Sequence, residues 1–133
     1  MNVKTEQAID IDVAVDAYMR AAIFSTLMDN GEPFDDKYTI EKFDDVSKQK
    51  MRADVVKFVE ENKEALLCTS VDLSDEKLST MIGFNFWMDR NGHGVGFWEE
   101  EYYGKEISWE LSKKADAFGQ CTLLENGKHV ELL

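Results

Sequence analysis

Apolar residues in the first half of the chain recur every three or four positions, which is the spacing of amphipathic helices. Residues 12–28 show it at Ala14, Ala17, Tyr18, Ala21, Ala22 and Met28. Residues 47–66 show it at Met51, Val55, Phe58, Val59 and Leu66. Suitable N-caps are Asp10 or Asp12 for the first helix and Asp45 or Ser47 for the second. The cluster Asp29–Pro33 ends the first helix, and a short helical turn can follow Thr39.

The spacing of apolar residues along the chain changes in its second half. From Ile82 onward, Phe84, Phe86 and Met88 alternate with polar residues and Trp87, and this pattern is typical of a strand. The pair Asn91-Gly92 follows it. Asn-Gly favours a two-residue type I′ turn, which needs positive φ at both positions. We therefore predict a β-hairpin whose return strand is Gly94–Glu99.

A third helix and a second hairpin complete the predicted fold. The helix runs from Ser108 to Phe118, with Gly119 as its C-terminal stop. Residues 121–125 and 128–132 then flank Asn126-Gly127, which repeats the same turn chemistry. Two hairpins can merge into one antiparallel sheet of four strands with helices on one face. The prediction is thus a single α+β domain covering residues 1–133.

The first hairpin holds the candidate binding residues. In its predicted register one face is apolar, while the other carries two indoles beside Gly94 and Gly96. A strand glycine indicates close packing, which either the ring of Trp87 over Gly96 or a bound partner can supply. The tip of this hairpin, residues 90–93, adds the basic side chain of Arg90 and the imidazole of His93. The candidate binding residues are Asn85, Trp87, Asp89, Arg90, Asn91, His93 and Trp98.

Sequence patterns for catalysis or metal binding are missing, so we predict no cofactor and no metal, and favour a binding protein over an enzyme. His93, between glycines, is more typical of an exposed turn than of a catalytic base. A metal site with His93 and His129 needs Asp89 or Glu99, and no ligand spacing supports it. A cysteine nucleophile activated by histidine would need Cys121 and His129 on the same face of the second hairpin. Under the predicted turn they fall on opposite faces. Cys68 and Cys121 form no CxxC pair and are expected to be free or buried thiols.

The composition and net charge of the chain limit the kinds of partner that we expect it to bind. The 133 residues include eight Phe, four Tyr and three Trp, enough for one aromatic core, and carry a net charge of −12. Residues 1–66 have 9 basic and 15 acidic side chains and residues 67–133 have 6 and 12, so each part is −6. This charge opposes direct binding to nucleic acid or to an anionic membrane. The start of the chain has no signal-peptide pattern and no apolar run is long enough to span a bilayer, so we expect a cytoplasmic protein.

The stretch of residues 83–99 resembles a family of small uncharacterised bacteriophage and prophage proteins, whose pattern reads close to GHDFWLTRNGHGAGFWD. The resemblance extends to the segment Tyr18–Ala22, to Ile107-Ser108 and to the turn Asn126–Lys128. It implies a phage or prophage origin and the bacterial host cytoplasm, and it implies no reaction.

Three positions depart from that family pattern. Phe84 stands in place of His, Asn85 in place of Asp, and Asp89 in place of Thr. A His and Asp pair, if the family uses one, is therefore missing here. Arg90, Asn91, His93 and Trp98 do match, which favours the hairpin tip as the site.

Three functions fit these features. The first is a non-enzymatic protein that binds a host protein through the Trp87/Trp98 face or the tip, because aromatic and Arg patches concentrate interface energy. The second is a nucleic-acid mimic, which the negative charge permits. The third is a small-molecule or nucleotide binder, or an enzyme, that uses the hairpin of residues 85–98. A homo-oligomer is compatible with all three.

Overall fold

The computed structural model describes residues 7–99 and 102–133, so residues 1–6 of the N-terminal stretch considered above lie outside it. Within that part, four α-helices and one two-stranded antiparallel sheet follow each other along the chain: α1 Ile11–Ser25, α2 Asp45–Leu66, α3 Asp75–Arg90, α4 Lys105–Asp116, β1 Leu123–Asn126 and β2 His129–Leu132. The fold is therefore mostly helical. None of these helices combines the length and apolar composition that crossing a membrane requires.

The predicted α+β fold with a four-stranded sheet is wrong, because the first hairpin does not exist. Residues 82–90 belong to α3, whose buried side chains include Leu78, Ile82 and Phe86 at intervals of four. A four-residue interval is also an even interval, so this helical face looks like the alternation of a strand. The overlooked start signal is Ser74, whose hydroxyl accepts a hydrogen bond from the N–H of Lys77 (3.1 Å) and caps α3.

The pair Asn91-Gly92 ends a helix instead of turning a hairpin. Gly92 has φ +67°, and its N–H donates to the carbonyl of Asp89 (3.1 Å). The N–H of His93 donates to the carbonyl of Met88 (3.0 Å). These two bonds form a Schellman motif, in which a glycine with positive φ satisfies the last helical carbonyls. The predicted return strand Gly94–Glu99 is correspondingly a loop of bends and turns.

The other predicted elements are present with shifted ends. Asp10 caps α1, as one of the two alternatives had it, but α1 ends at Ser25. Asp44, not Asp45 or Ser47, caps α2 by accepting from the N–H of Ser47 (2.8 Å). A short 3-10 turn, Ile40–Lys42, does follow Thr39.

The second hairpin is confirmed, with a one-residue shift of its turn. Asn126 pairs with His129, so the two loop residues are Gly127 and Lys128. Gly127 alone has positive φ (+67°), the pattern expected when glycine occupies the first position of a type II′ turn. The N–H of Asp44 donates to the carbonyl of Val130 (3.1 Å), which fixes the hairpin at the start of α2.

Helices α1 and α3 cross at Gly83. A β-carbon at this position would lie 2.0 Å from the carbonyl oxygen of Ala14 and 3.0 Å from the backbone nitrogen of Tyr18. The buried residues of α1 include four alanines, Ala14, Ala17, Ala21 and Ala22. The two backbones therefore approach to a distance that only glycine permits.

An aromatic core fills the space between these helices and α2. Phe58 of α2 stacks on Phe86 of α3 with ring centroids 4.3 Å apart and an angle of 7° between the planes. Phe118 meets Phe86 edge-on at 4.9 Å. On the other side, Tyr18 meets Trp87 edge-on at 5.3 Å. Such ring pairs add to the free energy of burial because edge and face carry opposite partial charges.

We predict that Gly83→Ala destabilises the protein by roughly 3 kcal/mol or more, since the added methyl group meets backbone atoms that cannot move independently. Chemical denaturation followed by circular dichroism measures the loss. Gly104→Ser is the matched control, because a β-carbon there has no heavy atom within 4 Å and serine suits the N-cap that Gly104 occupies. Equal stabilities of the two variants would contradict the close crossing.

Candidate binding cleft

Trp87, predicted to share one face of a hairpin with Trp98, is fully buried. Its indole N–H donates to the hydroxyl of Ser25 (2.8 Å) at the end of α1. Trp98 is 45% exposed and lies in the loop after α3. The predicted surface of Trp87 and Trp98 is therefore wrong, because one indole packs in the helical core and the other faces solvent.

Arg90, predicted to lie at the tip of a hairpin, is buried near the end of α3. Its Nη1 donates to the hydroxyl of Tyr18 on α1 and to the carboxylate of Asp54 on α2, both at 2.9 Å. Its Nε and Nη2 donate to the carbonyls of Gly119 (2.7 Å) and Phe118 (2.9 Å), just beyond α4. The planar fork of the guanidinium thus connects α1, α2 and α3 to the turn that follows α4.

The guanidinium of Arg90 also lies against aromatic rings. Its central carbon is 5.6 Å from the ring centroid of Phe86 and 5.4 Å from that of Phe118. These are distances at which a cation is attracted to an aromatic face. The charge of Arg90 is therefore compensated by one carboxylate, by hydrogen bonds and by two rings.

Asp89 holds the loop after α3 against α4. One oxygen, Oδ2, accepts from the N–H of Phe97 (3.0 Å), and the other, Oδ1, accepts from the hydroxyl of Ser112 on α4 (3.0 Å). The loop passes so closely that a β-carbon on Gly96 would lie 2.8 Å from the Asp89 side chain. The close packing expected at Gly96 is thus real, and the group that packs there is the carboxyl of Asp89, not the ring of Trp87.

The carboxyl of Asp89 is easily protonated. Burial, together with a hydrogen bond shared with the carboxyl of Asp116, raises the pKa of Asp89 to about 7. Burial penalises the charged form, and a second carboxylate adds repulsion between like charges. Near neutral pH the carboxyl of Asp89 is therefore partly protonated.

A cleft of about 450 Å³ opens above this pair of carboxyl groups. Two indoles line it, Trp98 from the loop and Trp109 from α4, and Trp109 is 64% exposed. Gly92 and Gly94 contribute to its wall without side chains. The remaining lining residues are Asp89, Arg90, Val95, Ser112, Asp116, Gly119 and Gln120. We call this feature the tryptophan cleft.

A larger groove of about 1350 Å³ lies along α1 and α3. It contains the predicted residue Asn85, which is half-buried, next to Phe84, Met88 and the exposed ring of Phe24. Its wall is mainly apolar. The tryptophan cleft is the better candidate for specific recognition, because it combines aromatic faces with a few polar groups that can orient a ligand.

Asn91 and His93 do not join the tryptophan cleft. Asn91 donates through Nδ2 to the carbonyl of Trp87 (3.0 Å) and accepts from the N–H of Cys121 (2.8 Å), so it connects α3 to the C-terminal hairpin. The side chain of His93 is exposed and lines a separate shallow depression. Of the seven predicted residues, the structure brings three together in the cleft: Asp89, Arg90 and Trp98.

The thiol of Cys121 is not activated. Cys68 and Cys121 are both free. Burial raises the pKa of the Cys121 thiol, which disfavours the nucleophilic thiolate. Among the described residues, no three side chains of His, Cys, Asp or Glu come together as metal ligands do.

Sequence reasoning missed Trp109 and Asp116. A signal for Trp109 exists, because Ile107, Leu111 and Ala115 mark the apolar side of α4 and Trp109 falls outside that stripe. A tryptophan on the polar side of a helix remains exposed and is available for contact. Asp116 carries no comparable signal, because its proximity to Asp89 arises only from the packing of α4 on α3.

Protein-family models, curated proteins and solved structures were compared with the chain, and none matches it. The resemblance to phage proteins stays a prediction.

Replacing Arg90 with Lys should lower the free energy of unfolding by about 3 kcal/mol, because an ammonium group cannot replace the planar set of four hydrogen bonds to three segments of the chain. Urea denaturation measures this loss. Arg52→Lys is the control, since Arg52 forms an exposed ion pair with Asp12 (2.8 Å) and its replacement should cost less than about 1 kcal/mol. A similarly small loss of unfolding free energy in Arg90→Lys would contradict the structural role of Arg90.

Asp89 should make the protein less stable as the pH rises from about 4 to about 7. Its pKa is near 3.9 in an unfolded chain and about 7 in the fold, so the folded state holds the proton more tightly and loses that advantage as the proton leaves. Asp116→Asn should lower the pKa of Asp89. The variant should therefore gain stability relative to wild type over this pH range.

Thermal unfolding at pH 4.5 and pH 8 measures that difference. Glu110→Gln, which removes an exposed carboxylate from the same helix, is the control and should give the same difference from wild type at both pH values. If the difference between Asp116→Asn and wild type also stays constant with pH, the two carboxyl groups are not coupled.

Proposed function

We propose that this chain is a small non-enzymatic binding protein that docks onto another protein through the tryptophan cleft. The observation that supports it is that two exposed indoles, Trp98 and Trp109, line one cleft although they come from different segments. Exposed tryptophans gathered at one place are typical of the centre of a protein interface.

The two indoles are well placed to act as anchors. Tryptophan offers a large rigid surface with few rotatable bonds, so little entropy is lost when it binds. Trp98 is held by its neighbour Phe97, which is buried and bonded to Asp89. Trp109 is held by α4, where Leu111 and Ala115 are buried. A preorganised surface of this kind loses less free energy on association than a mobile one.

The polar groups of the cleft favour binding over catalysis. A carboxyl with a pKa near 7 resembles a general acid, but both oxygens of Asp89 already accept hydrogen bonds from Phe97 and Ser112. Their role is to fix the loop on α4. The alternative enzyme or nucleotide site on a hairpin of residues 85–98 has lost its geometric basis, because residues 82–90 are helical.

A host protein in the bacterial cytoplasm is the partner that we propose. This part of the proposal is supported by the resemblance of residues 83–99 to phage and prophage proteins. The acidic composition agrees with a partner whose binding surface is basic.

The proposal is tested with a double variant, Trp98→Ser/Trp109→Ser, immobilised beside wild type and exposed to bacterial lysate. A specific partner should be recovered by wild type and reduced at least about tenfold with the double variant, because truncating a central tryptophan commonly costs 2 kcal/mol or more. Quantitative mass spectrometry of the bound fractions measures the ratio.

Phe24→Ser is the matched control, because Phe24 is also an exposed aromatic residue but lies in the groove on α1. It should recover the partner as wild type does. Circular dichroism should show that both variants are folded. The proposal fails if the double variant recovers every partner that wild type recovers.

A further inference from the structure

We propose that the tryptophan cleft accepts a basic side chain, that of an arginine or a lysine on the partner protein. This inference rests on the proposed function and specifies what the cleft recognises. It is drawn from the aromatic walls, the charges on the floor and the dimensions of the cleft.

The aromatic walls are suited to a cation. The face of an indole carries negative partial charge and attracts ammonium and guanidinium groups more strongly than other aromatic rings do. The molecule already uses this chemistry internally, since Arg90 lies 5.6 Å and 5.4 Å from two phenylalanine rings. Trp98 and Trp109 offer comparable faces to solvent, where an external cation can reach them.

The charges on the floor of the cleft are complementary to a cation. Asp89 and Asp116 both line it, and Asp116 is exposed. Arg90 also lines it, but its charge is directed to Asp54 and to the carbonyls of Phe118 and Gly119. The net charge of −12 adds a long-range attraction for basic partners.

The dimensions agree with a single side chain. A volume of about 450 Å³ is within the range for small ligand sites and leaves room for a side chain and some water. Gly94 has no heavy atom within 4 Å of where its β-carbon would lie, so the cleft is open on that side. The backbone of a partner can therefore approach while its side chain extends into the cleft.

Binding of a cation should be coupled to the proton that Asp89 holds. The groups facing Asp89 are Asp116 and Ser112 on α4 and the N–H of Phe97 in the loop, while Arg90 of α3 lines the same cleft. A cation beside the carboxyl of Asp89 favours its charged form. Affinity should consequently increase between pH 6 and pH 8.

The test follows the indole N–H signals of the three tryptophans by NMR while short peptides are added. The probes are the acetylated amides of Gly-Gly-Arg-Gly-Gly and Gly-Gly-Lys-Gly-Gly. The neutral probe has citrulline in place of arginine. Saturable shifts of the Trp98 and Trp109 signals with a basic peptide are expected, without a shift of the buried Trp87 signal, which serves as an internal reference.

Two charge variants separate specific binding from general attraction. Asp116→Asn should weaken binding of the basic peptide about fivefold or more, whereas Glu61→Gln, which removes an exposed charge from α2, should change it less than about twofold. The inference is overturned if no basic peptide binds saturably, if citrulline binds as well as arginine, or if the two variants behave alike.

These outcomes are distinct from failure of the proposed function. If the double tryptophan variant loses its protein partner while no basic peptide binds, the docking surface stands and only its preference for a basic side chain is wrong. If the double variant keeps every partner, the docking function itself is wrong.

Discussion

The guanidinium of Arg90 is the interaction on which the arrangement of the helices depends. It lies at the end of α3 and bonds to Tyr18 of α1, Asp54 of α2 and two carbonyls beyond α4. A buried cation is costly unless its donors and its charge are all satisfied. Because each of these elements supplies one part of that compensation, moving any of them leaves a charge or a donor unpaired in the core.

The tryptophan cleft is a consequence of this arrangement. Arg90 fixes the turn after α4, and the neighbouring Asp89 binds both the loop, through Phe97, and α4, through Ser112. The loop carries Trp98 and the helix carries Trp109, so two adjacent residues of α3 determine how the indoles are placed. A surface built in this way is held by buried polar groups, although its own side chains are exposed.

The wrong prediction of a hairpin over residues 82–99 comes from local sequence patterns that fit both a strand and a helix. An Asn-Gly pair in which the glycine has positive φ occurs both in hairpin turns and at the C-terminal ends of helices. In this protein Gly92 ends a helix. Apolar residues four apart satisfy both a helical face and a strand alternation. The sequence signal that favours a helix is at the beginning of α3, where Ser74 is the N-cap and Asp75 and Glu76 lie in the first turn.

The amino-acid sequence by itself determined α1, α2, most of α4 and the C-terminal hairpin, because their spacing, caps and turn residues act between near neighbours. It also marked Asp89, Arg90 and Trp98 as residues of interest. Only the tertiary structure decided that Trp87 is buried, that Arg90 is a core residue, and that Trp109 and Asp116 join the cleft. Those outcomes depend on contacts between residues far apart in the chain, such as Arg90 with Tyr18 and Asp54, and a local pattern carries no information about which distant groups will meet.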